Sequence, residues 1–224
     1  MSRLLAIGDI HGCWTALSTL TQSVPIRDDD LVVTLGDYVD RGPDTRRVLE
    51  WVIARYQAGR LIPLRGNHEI MMLEAREGED MLDYWIKVGG RSVLASYAPP
   101  GRPGQLSDIP SEHWIFLERE TRRFHETDTH FFVHANVVPD WPLNEQPDEI
   151  VFWERCFEPI PHMSGKIMIC GHTPQTSMRP ANFGHAVCID TWAYRNGWLT
   201  CLDPATGQYW QANQQGDTRR DFLE

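Results

Sequence analysis

A strand that ends in two carboxylates and a guanidinium constrains this chain more than any other feature. The run Leu31-Val32-Val33-Thr34-Leu35 is short, apolar and β-branched, and Gly36-Asp37-Tyr38-Val39-Asp40-Arg41-Gly42 follows it directly. Such a run reads as a buried strand. It delivers Asp37, Asp40 and Arg41 to one exposed edge, and the glycines at 36 and 42 let the loop fold tightly around a ligand.

The same grammar repeats along the chain. Residues 3 to 7 predict a first strand that ends at Gly8-Asp9-Ile10-His11-Gly12. Asp9 and His11 stand two residues apart, so in extended geometry both point the same way. Trp14 to Ser23 has helical spacing, and Asp44 predicts an N-cap for a helix through Tyr56. Leu61-Ile62-Pro63-Leu64 predicts a third strand, ending at Arg65-Gly66-Asn67-His68-Glu69. Three strands thus feed helices through loops that carry glycine and a potential ligand. This repetition predicts an α/β fold with its functional loops gathered at one end of the sheet. Further on, residues 70 to 98 have a helical pattern and Ser111 opens another helix. The strand His130 to Val133 ends at His134, and Lys166 to Cys170 ends at Gly171-His172-Thr173-Pro174. Three β-type segments follow at 186–189, 197–202 and 208–212. A single domain over residues 1–212 is expected, with 213–224 as a polar, frayed tail.

Composition narrows the function classes. With 42% hydrophobic residues in 224, a substantial core is available, and no apolar run approaches the roughly 20 residues of a membrane span. The N-terminal apolar stretch is too short for a signal peptide, so the cytoplasm is the expected location. A net charge of −10 argues against a nucleic-acid polymer as partner, but leaves room for a phosphorylated small molecule or peptide. The five cysteines are scattered without a C-x-x-C pair, which predicts reduced core thiols rather than a disulfide framework or a zinc cluster. Cys13 follows Gly12 closely and is read as a small buried residue rather than a nucleophile.

The residues standing at strand ends are Asp9, His11, Asp37, Asp40, Asn67, His68, His134 and His172. If their strands share one architecture, all of them converge on one site. Mixed carboxylate, imidazole and amide donors without a thiolate suit Mn, Fe or Zn. A carboxylate flanked by histidines suggests two metals bridged by one carboxylate, an arrangement that activates water for phosphoryl displacement. His113, His125, His130, His162 and His185 lack the strand-end context and are read as structural or surface residues.

These motifs together carry a resemblance. Gly-Asp-x-His-Gly at 8–12, Gly-Asp-x-Val-Asp-Arg-Gly at 36–42, Arg-Gly-Asn-His-Glu at 65–69, the strand-terminal His134 and Gly-His-Thr-Pro at 171–174 resemble the calcineurin-like metallophosphoesterases. The likeness is to the phosphoprotein phosphatase family, in the group of phage lambda and bacterial serine/threonine protein phosphatases. Tyr84-Trp85, Gly89-Gly90, Trp153-x-Arg155 and Ile189-Asp190-Thr191 also correspond, so the resemblance spans about residues 3–203. It implies a β-sandwich of mixed sheets flanked by helices, with a dinuclear metal site at the strand-end loops.

It also implies roles. Asp9, His11 and Asp37 would hold one divalent metal ion, and Asp37 would bridge to a second held with Asn67, His134 and His172. Manganese is the expected metal, with iron, zinc and cobalt as alternatives. His68 would be the general acid and Asp40 its orienting partner. Arg41, Arg65 and Arg155 would clamp phosphate oxygens. Glu69 would support the loop without ligating. After His134 the chain reads Ala135-Asn136 where eukaryotic members usually have two glycines, so the substrate-side loop departs from theirs.

The resemblance implies a metal-dependent phosphomonoesterase for phosphoserine and phosphothreonine, with phosphotyrosine within its range, acting by attack of metal-activated water. Its partner would be a phosphoprotein, a phosphopeptide or a small phosphorylated molecule, with no membrane partner. The alternative is a dinucleoside polyphosphate (diadenosine tetraphosphate) hydrolase, whose motifs are nearly the same. A phosphopeptide-binding module without activity would require loss of a ligand or of the acid pair, and neither is missing.

Overall fold

The computed structural model describes residues 3–27 and 29–224; Met1 and Ser2 of the expected domain, and Asp28 just before the second strand, lie outside the described residues. In chain order the elements are β1 (Leu4–Ile7), α1 (Trp14–Ser23), β2 (Leu31–Thr34), α2 (Thr45–Gln57), β3 (Leu61–Pro63), α3 (Asn67–Glu74), α4 (Glu79–Trp85), α5 (Arg91–Tyr97), α6 (Ser111–Ile115), β4 (Phe124–Glu126), β5 (His130–Val133), α7 (Asp148–Trp153), β6 (Ile167–Cys170), β7 (Ala181–Asn182), β8 (Ala186–Cys188), β9 (Leu199–Leu202), β10 (Gln208–Ala212) and β11 (Thr218–Phe222). A π-turn over Ile86–Gly90 joins α4 to α5, and a second over Phe116–Glu120 continues α6.

Two mixed sheets result, a six-stranded one in the order β11-β10-β9-β1-β2-β3 and a five-stranded one in the order β4-β5-β6-β8-β7. β1, β2 and β3 run parallel, as do β5, β6 and β8. Period-2 alternation sorts each strand's side chains between two layers. Ala6, Val33 and Ile62 of the first sheet meet Phe132, Ile169 and Val187 of the second in a shared core. Their neighbours Leu5, Ile7, Val32 and Leu61 turn outward onto the helices, where Leu17, Leu20, Val48 and Leu49 cover them. Phe131, Val133, Met168 and Cys188 turn the other way, onto Val151 and Phe152 of α7. The fold is therefore a mixed α/β sandwich of two sheets flanked by helices, as the resemblance implies.

α1 and β5 have the predicted bounds, and the Asp44 carboxylate caps α2 by accepting from the Arg47 amide at 3.3 Å. Val151 to Trp153 complete α7. One expectation changes: the stretch 213–224 is not a frayed tail, because Thr218 to Phe222 forms β11 and pairs with β10 over five residues. Its pattern Thr-Arg-Arg-Asp-Phe is that of a mostly exposed edge strand, which has too little apolar content to announce itself. All five cysteines are buried and free, and burial pushes the Cys13 thiol up to about 12. Among the described residues, no helix is long and apolar enough to cross a membrane.

Candidate metal centre

Because β1, β2 and β3 are parallel neighbours, their C-terminal loops leave the sheet side by side. The loops are then laced together. Ile10 and His11 donate their amides to Asp37 O at 3.0 and 2.7 Å, and Gly12 donates to Tyr38 O at 2.8 Å. In the second sheet Gly171 after β6 donates to His134 O after β5 at 2.8 Å, and the loop then reaches across to the first sheet, the His172 amide donating to both Asp9 oxygens at 3.1 and 3.2 Å. Two glycines make this approach feasible. A Cβ on Gly66 would stand 2.1 Å from Asp37 Oδ1, and one on Gly171 would stand 2.1 Å from Asp9 Oδ1.

Asp37 is the hub. Its Oδ2 lies 3.3 Å from His11 Nε2 and its Oδ1 lies 3.5 Å from His134 Nε2. Two donor groups close enough to share an ion both contain it, one with His11 and His68, the other with His134 and His172. Asn67, at the N-terminus of α3, adds a neutral oxygen 3.1 Å from both His134 Nε2 and His172 Nδ1. Asp9 belongs to neither three-residue group. Its carboxylate accepts from the His172 amide, with Asp190 as an acidic neighbour.

Each imidazole is oriented through its other nitrogen. His11 Nδ1 donates to Val39 O at 2.9 Å, His134 Nδ1 to Leu35 O at 2.8 Å and His172 Nε2 to Trp153 O at 3.0 Å. These bonds make acceptors of His11 Nε2, His134 Nε2 and His172 Nδ1, the last two beside Asn67 and the first beside Asp37 and Arg41, and a ring held through its other nitrogen suits metal ligation.

The electrostatics agree. Burial lowers the pKa of His11 and His134, and that of His172 to about 4, which keeps the three rings neutral. Burial opposes ionisation of Asp37, but His134, His68, His11 and His172 together hold its carboxyl well below the usual range. Burial raises the pKa of both Asp9 and Asp190, the former further through Asp190 and Asp37, the latter to about 7. Asp9 and Asp37 with three neutral imidazoles and the Asn67 carbonyl form an oxygen–nitrogen donor set without a thiolate, which divalent cations fit.

Beside the cluster stands a second pair. His68 Nδ1 approaches Asp40 Oδ2 to 2.5 Å, and Trp85 Nε1 donates to Asp40 Oδ1 at 2.9 Å. Burial disfavours the charged ring of His68, yet Asp37 and Asp40 outweigh it and raise its pKa. Arg41 Nη1 donates to His11 Nε2 at 2.9 Å, with its guanidinium over the Tyr194 ring. Glu69 is buried and accepts from the amides of Asp37, Tyr38, Val39 and Gly66, tying the β2 and β3 loops to each other as expected.

Of the three expected phosphate clamps, Arg41 alone has a side-chain hydrogen bond to a member of the cluster. Arg65 donates Nε to Thr121 Oγ1 at 2.9 Å and Nη2 to Leu117 O and Glu118 O at 3.0 and 2.7 Å. The carbonyls at the end of the α6 helical run are short of donors, and the guanidinium satisfies them. Arg155 is exposed, with its guanidinium 5.8 Å from the Phe157 ring centroid. Its neighbour Trp153 is the one that touches the cluster, through its carbonyl. Asp190, Tyr194 and the Asp40 bond of Trp85 are the functional contacts missing from the sequence reading. Of these, Asp190 and Trp85 carried a signal, in Ile189-Asp190-Thr191 and Tyr84-Trp85, and Tyr194 carried none. His113 is buried against Tyr97, consistent with a structural role.

Strain collects here as well. Of the seven non-glycine residues with positive φ among those described, five are His11, Asp37, Asp40, Arg41 and His172, with φ from 47° to 70°. Such conformations cost about 1–3 kcal/mol each and persist where surrounding contacts over-determine them, often at functional sites.

The family model described as calcineurin-like phosphoesterase matches residues 2–197. The chain is 30% identical to Serine/threonine-protein phosphatase 1 of Salmonella typhimurium over 204 residues, covering 87% of this chain and 88% of that one. It is 34% identical to the symmetrical Bis(5'-nucleosyl)-tetraphosphatase of Ralstonia nicotianae over 140 residues, covering 62% of this chain and 44% of that one, so it spans less than half of that relative's length. Its fold is shared by the cold-active protein-tyrosine phosphatase of a psychrophilic Shewanella, at TM-score 0.62 and 17% identity over 100% of this chain and 81% of that one. A metal-suited cluster at the ends of parallel strands, within a chain matched over nearly its whole length, has one consequence: the chain belongs to the calcineurin-like phosphoesterase family and is a hydrolase of the metallophosphoesterase type.

Proposed function

We propose that this chain is a metal-dependent phosphomonoesterase acting on phosphoserine and phosphothreonine side chains, with phosphotyrosine within its range. The observation that carries the reading is Asp37 standing between two donor groups, with the buried His68–Asp40 pair at the same cluster. Asp9, His11 and Asp37 would hold one divalent ion, and Asp37, Asn67, His134 and His172 a second, manganese foremost. Bound there, the ions supply Lewis acidity and a water nucleophile at neutral pH.

The chain's own groups do the rest. The carbonyls of Val39, Leu35 and Trp153 keep three lone pairs turned inward. Arg41 binds phosphoryl oxygens, where the fork of a guanidinium matches the charge that develops during displacement. His68, held at Nδ1 by Asp40, gives the proton on Nε2 to the leaving oxygen. Trp85 fixes Asp40 from behind, so that the ring cannot turn. No cysteine or serine nucleophile enters. Five reduced, buried thiols suit a reducing compartment, which supports the cytoplasm as the place of action.

For a protein substrate, the support is the likeness to Serine/threonine-protein phosphatase 1 over both chains' lengths. Two aromatic faces between β8 and β9 are also occupied, Tyr194 by Arg41 and Trp192 by Arg195. A second reading, hydrolysis of a dinucleoside tetraphosphate, is favoured by Trp153. The residue is 40% exposed while its carbonyl binds His172, which offers a base a place to stack beside the centre, and a tetraphosphatase is among the relatives.

Phosphate release by the manganese-loaded protein decides between them, with a phosphothreonine peptide, a phosphotyrosine peptide and diadenosine tetraphosphate as substrates. A kcat/KM for either peptide at least tenfold above the dinucleotide is the expected result. The reverse order transfers the assignment to the tetraphosphatase, and no turnover with any divalent metal overturns both.

A further inference from the structure

The segment that crosses from β8 back to β9 carries an aromatic ladder to the edge of the metal centre. The Arg41 guanidinium carbon lies 4.4 Å from the centroid of the Tyr194 ring, and the His11 ring meets the same tyrosine edge-on at 4.9 Å and 83°. The Tyr194 hydroxyl accepts from Trp192 Nε1 at 2.8 Å. Trp192 is itself held by its amide, which donates to Asp190 Oδ1 at 3.1 Å, and Arg195 stacks on its ring with Cζ 5.2 Å from the centroid. The Trp198 amide closes the loop by donating to Thr191 O at 2.9 Å.

What holds Arg41 is unusual for an arginine next to so many acids. Among the described residues, no carboxylate oxygen lies within ion-pair distance of its guanidinium. Its recorded side-chain contacts are the Nη1 bond to His11 and the Tyr194 face. The difference matters chemically. A carboxylate partner would take two N–H donors and cancel the charge, whereas an aromatic face holds the guanidinium plane and takes neither. We infer that Tyr194 is a positioning residue for phosphate recognition: its ring fixes the Arg41 guanidinium by the face, so the N–H edge stays available to phosphoryl oxygens. This inference rests on the assignment of Arg41 to phosphate under the proposed function.

The test uses inorganic phosphate as probe, bound to the full manganese-loaded chain and followed by calorimetry, with p-nitrophenyl phosphate kinetics alongside. Tyr194→Leu is expected to weaken phosphate binding about tenfold, the effect of a partly desolvated cation–π contact. Its loss falls mainly on KM, because the clamp acts on ground and transition states alike. Tyr194→Phe keeps the ring and restores affinity to within about twofold. Tyr194→Met is a second ring-free variant, used if the leucine protein does not fold. In an Arg41→Ala background, Tyr194→Leu adds less than about twofold, since its effect runs through Arg41.

Equal losses in the parent and Arg41→Ala backgrounds overturn the inference, as does loss of bound manganese in Tyr194→Leu, which would place the effect on His11. A parent protein that binds phosphate but hydrolyses no ester would sink the phosphatase reading alone, and the affinities would still decide on Tyr194. A parent protein that binds no phosphate overturns both.

Discussion

The Nδ1 atom of His68 lies 2.5 Å from Asp40 Oδ2, and the other oxygen of that carboxylate accepts from the Trp85 indole 2.9 Å away. All three side chains are buried. A histidine pinned this way has one free nitrogen and a raised pKa, the properties of a proton donor. His68→Asn is therefore expected to lower kcat on a phosphothreonine peptide by about a hundredfold or more, and on p-nitrophenyl phosphate by about tenfold at most. The nitrophenolate oxygen needs little protonation to leave. Parallel losses on the two substrates would remove the acid role.

Asp37 touches both donor groups, so its replacement should not be a one-metal event. In Asp37→Asn, manganese titration is expected to show both ions weakened together, because the amide keeps one oxygen and loses the charge. Full retention of one ion would mean that Asp37 does not bridge.

Gly66 is where β3 meets the hub. An added Cβ would fall 2.1 Å from Asp37 Oδ1 and 2.6 Å from the Asp37 amide nitrogen, neither of which is the free end of a flexible chain. Gly66→Ala is expected to cost about 2 kcal/mol or more in urea unfolding and to reduce metal occupancy in the folded fraction. A variant with parental stability and metal content would show that the two loops can separate.

Arg65 provides the opposite case, a residue whose motif suggests chemistry and whose contacts are structural. Its guanidinium satisfies two carbonyls and a hydroxyl at the end of the α6 run. Arg65→Ala is expected to lose about 1–3 kcal/mol of stability while phosphate affinity stays within about twofold. A tenfold rise in the phosphate dissociation constant at unchanged stability would return Arg65 to the site.

A pH effect away from the metals comes from His113. Its ring is buried, its Nδ1 accepts from the Tyr97 hydroxyl at 2.6 Å, and burial lowers its pKa. The folded protein thus binds fewer protons than the unfolded chain, whose histidines titrate near about 6.5. The stability contribution is complete above that value and is lost as pH falls below it towards the lowered folded pKa. Urea unfolding at pH 7.5 and 5.5 should show a larger loss for the parent than for His113→Gln, which has no titrating group; equal losses would exclude His113 as the source.

The strand-end motifs were legible because each sits within a handful of residues. The run before Asp37 has to be buried, Gly36 and Gly42 have to turn, and the carboxylates fall in the loop at the strand's C-terminal end; that this loop is itself buried came only with the fold. The same local argument placed α1, β5 and the Asp44 cap. It failed for β11, whose side chains are mostly exposed and polar, because the strand exists only as the partner of β10. It could not show where the Arg65 guanidinium goes, since a group on a flexible stem turns to whichever acceptors the tertiary fold leaves short, here the carbonyls of Leu117 and Glu118.

By itself, then, the sequence determined which residues could form a metal site and that they would stand at strand ends, since strand period, turn chemistry and ligand spacing are all short-range properties. Only the tertiary structure decided which groups support that site. Trp85 reaches Asp40 across 45 residues, and Glu69 reaches the Asp37 loop across 32. Tyr194 meets His11 and Arg41 because the chain crosses between the two sheets at that point. Those contacts depend on how sheets and helices pack against one another, and packing distances are set by the whole core rather than by any window of sequence.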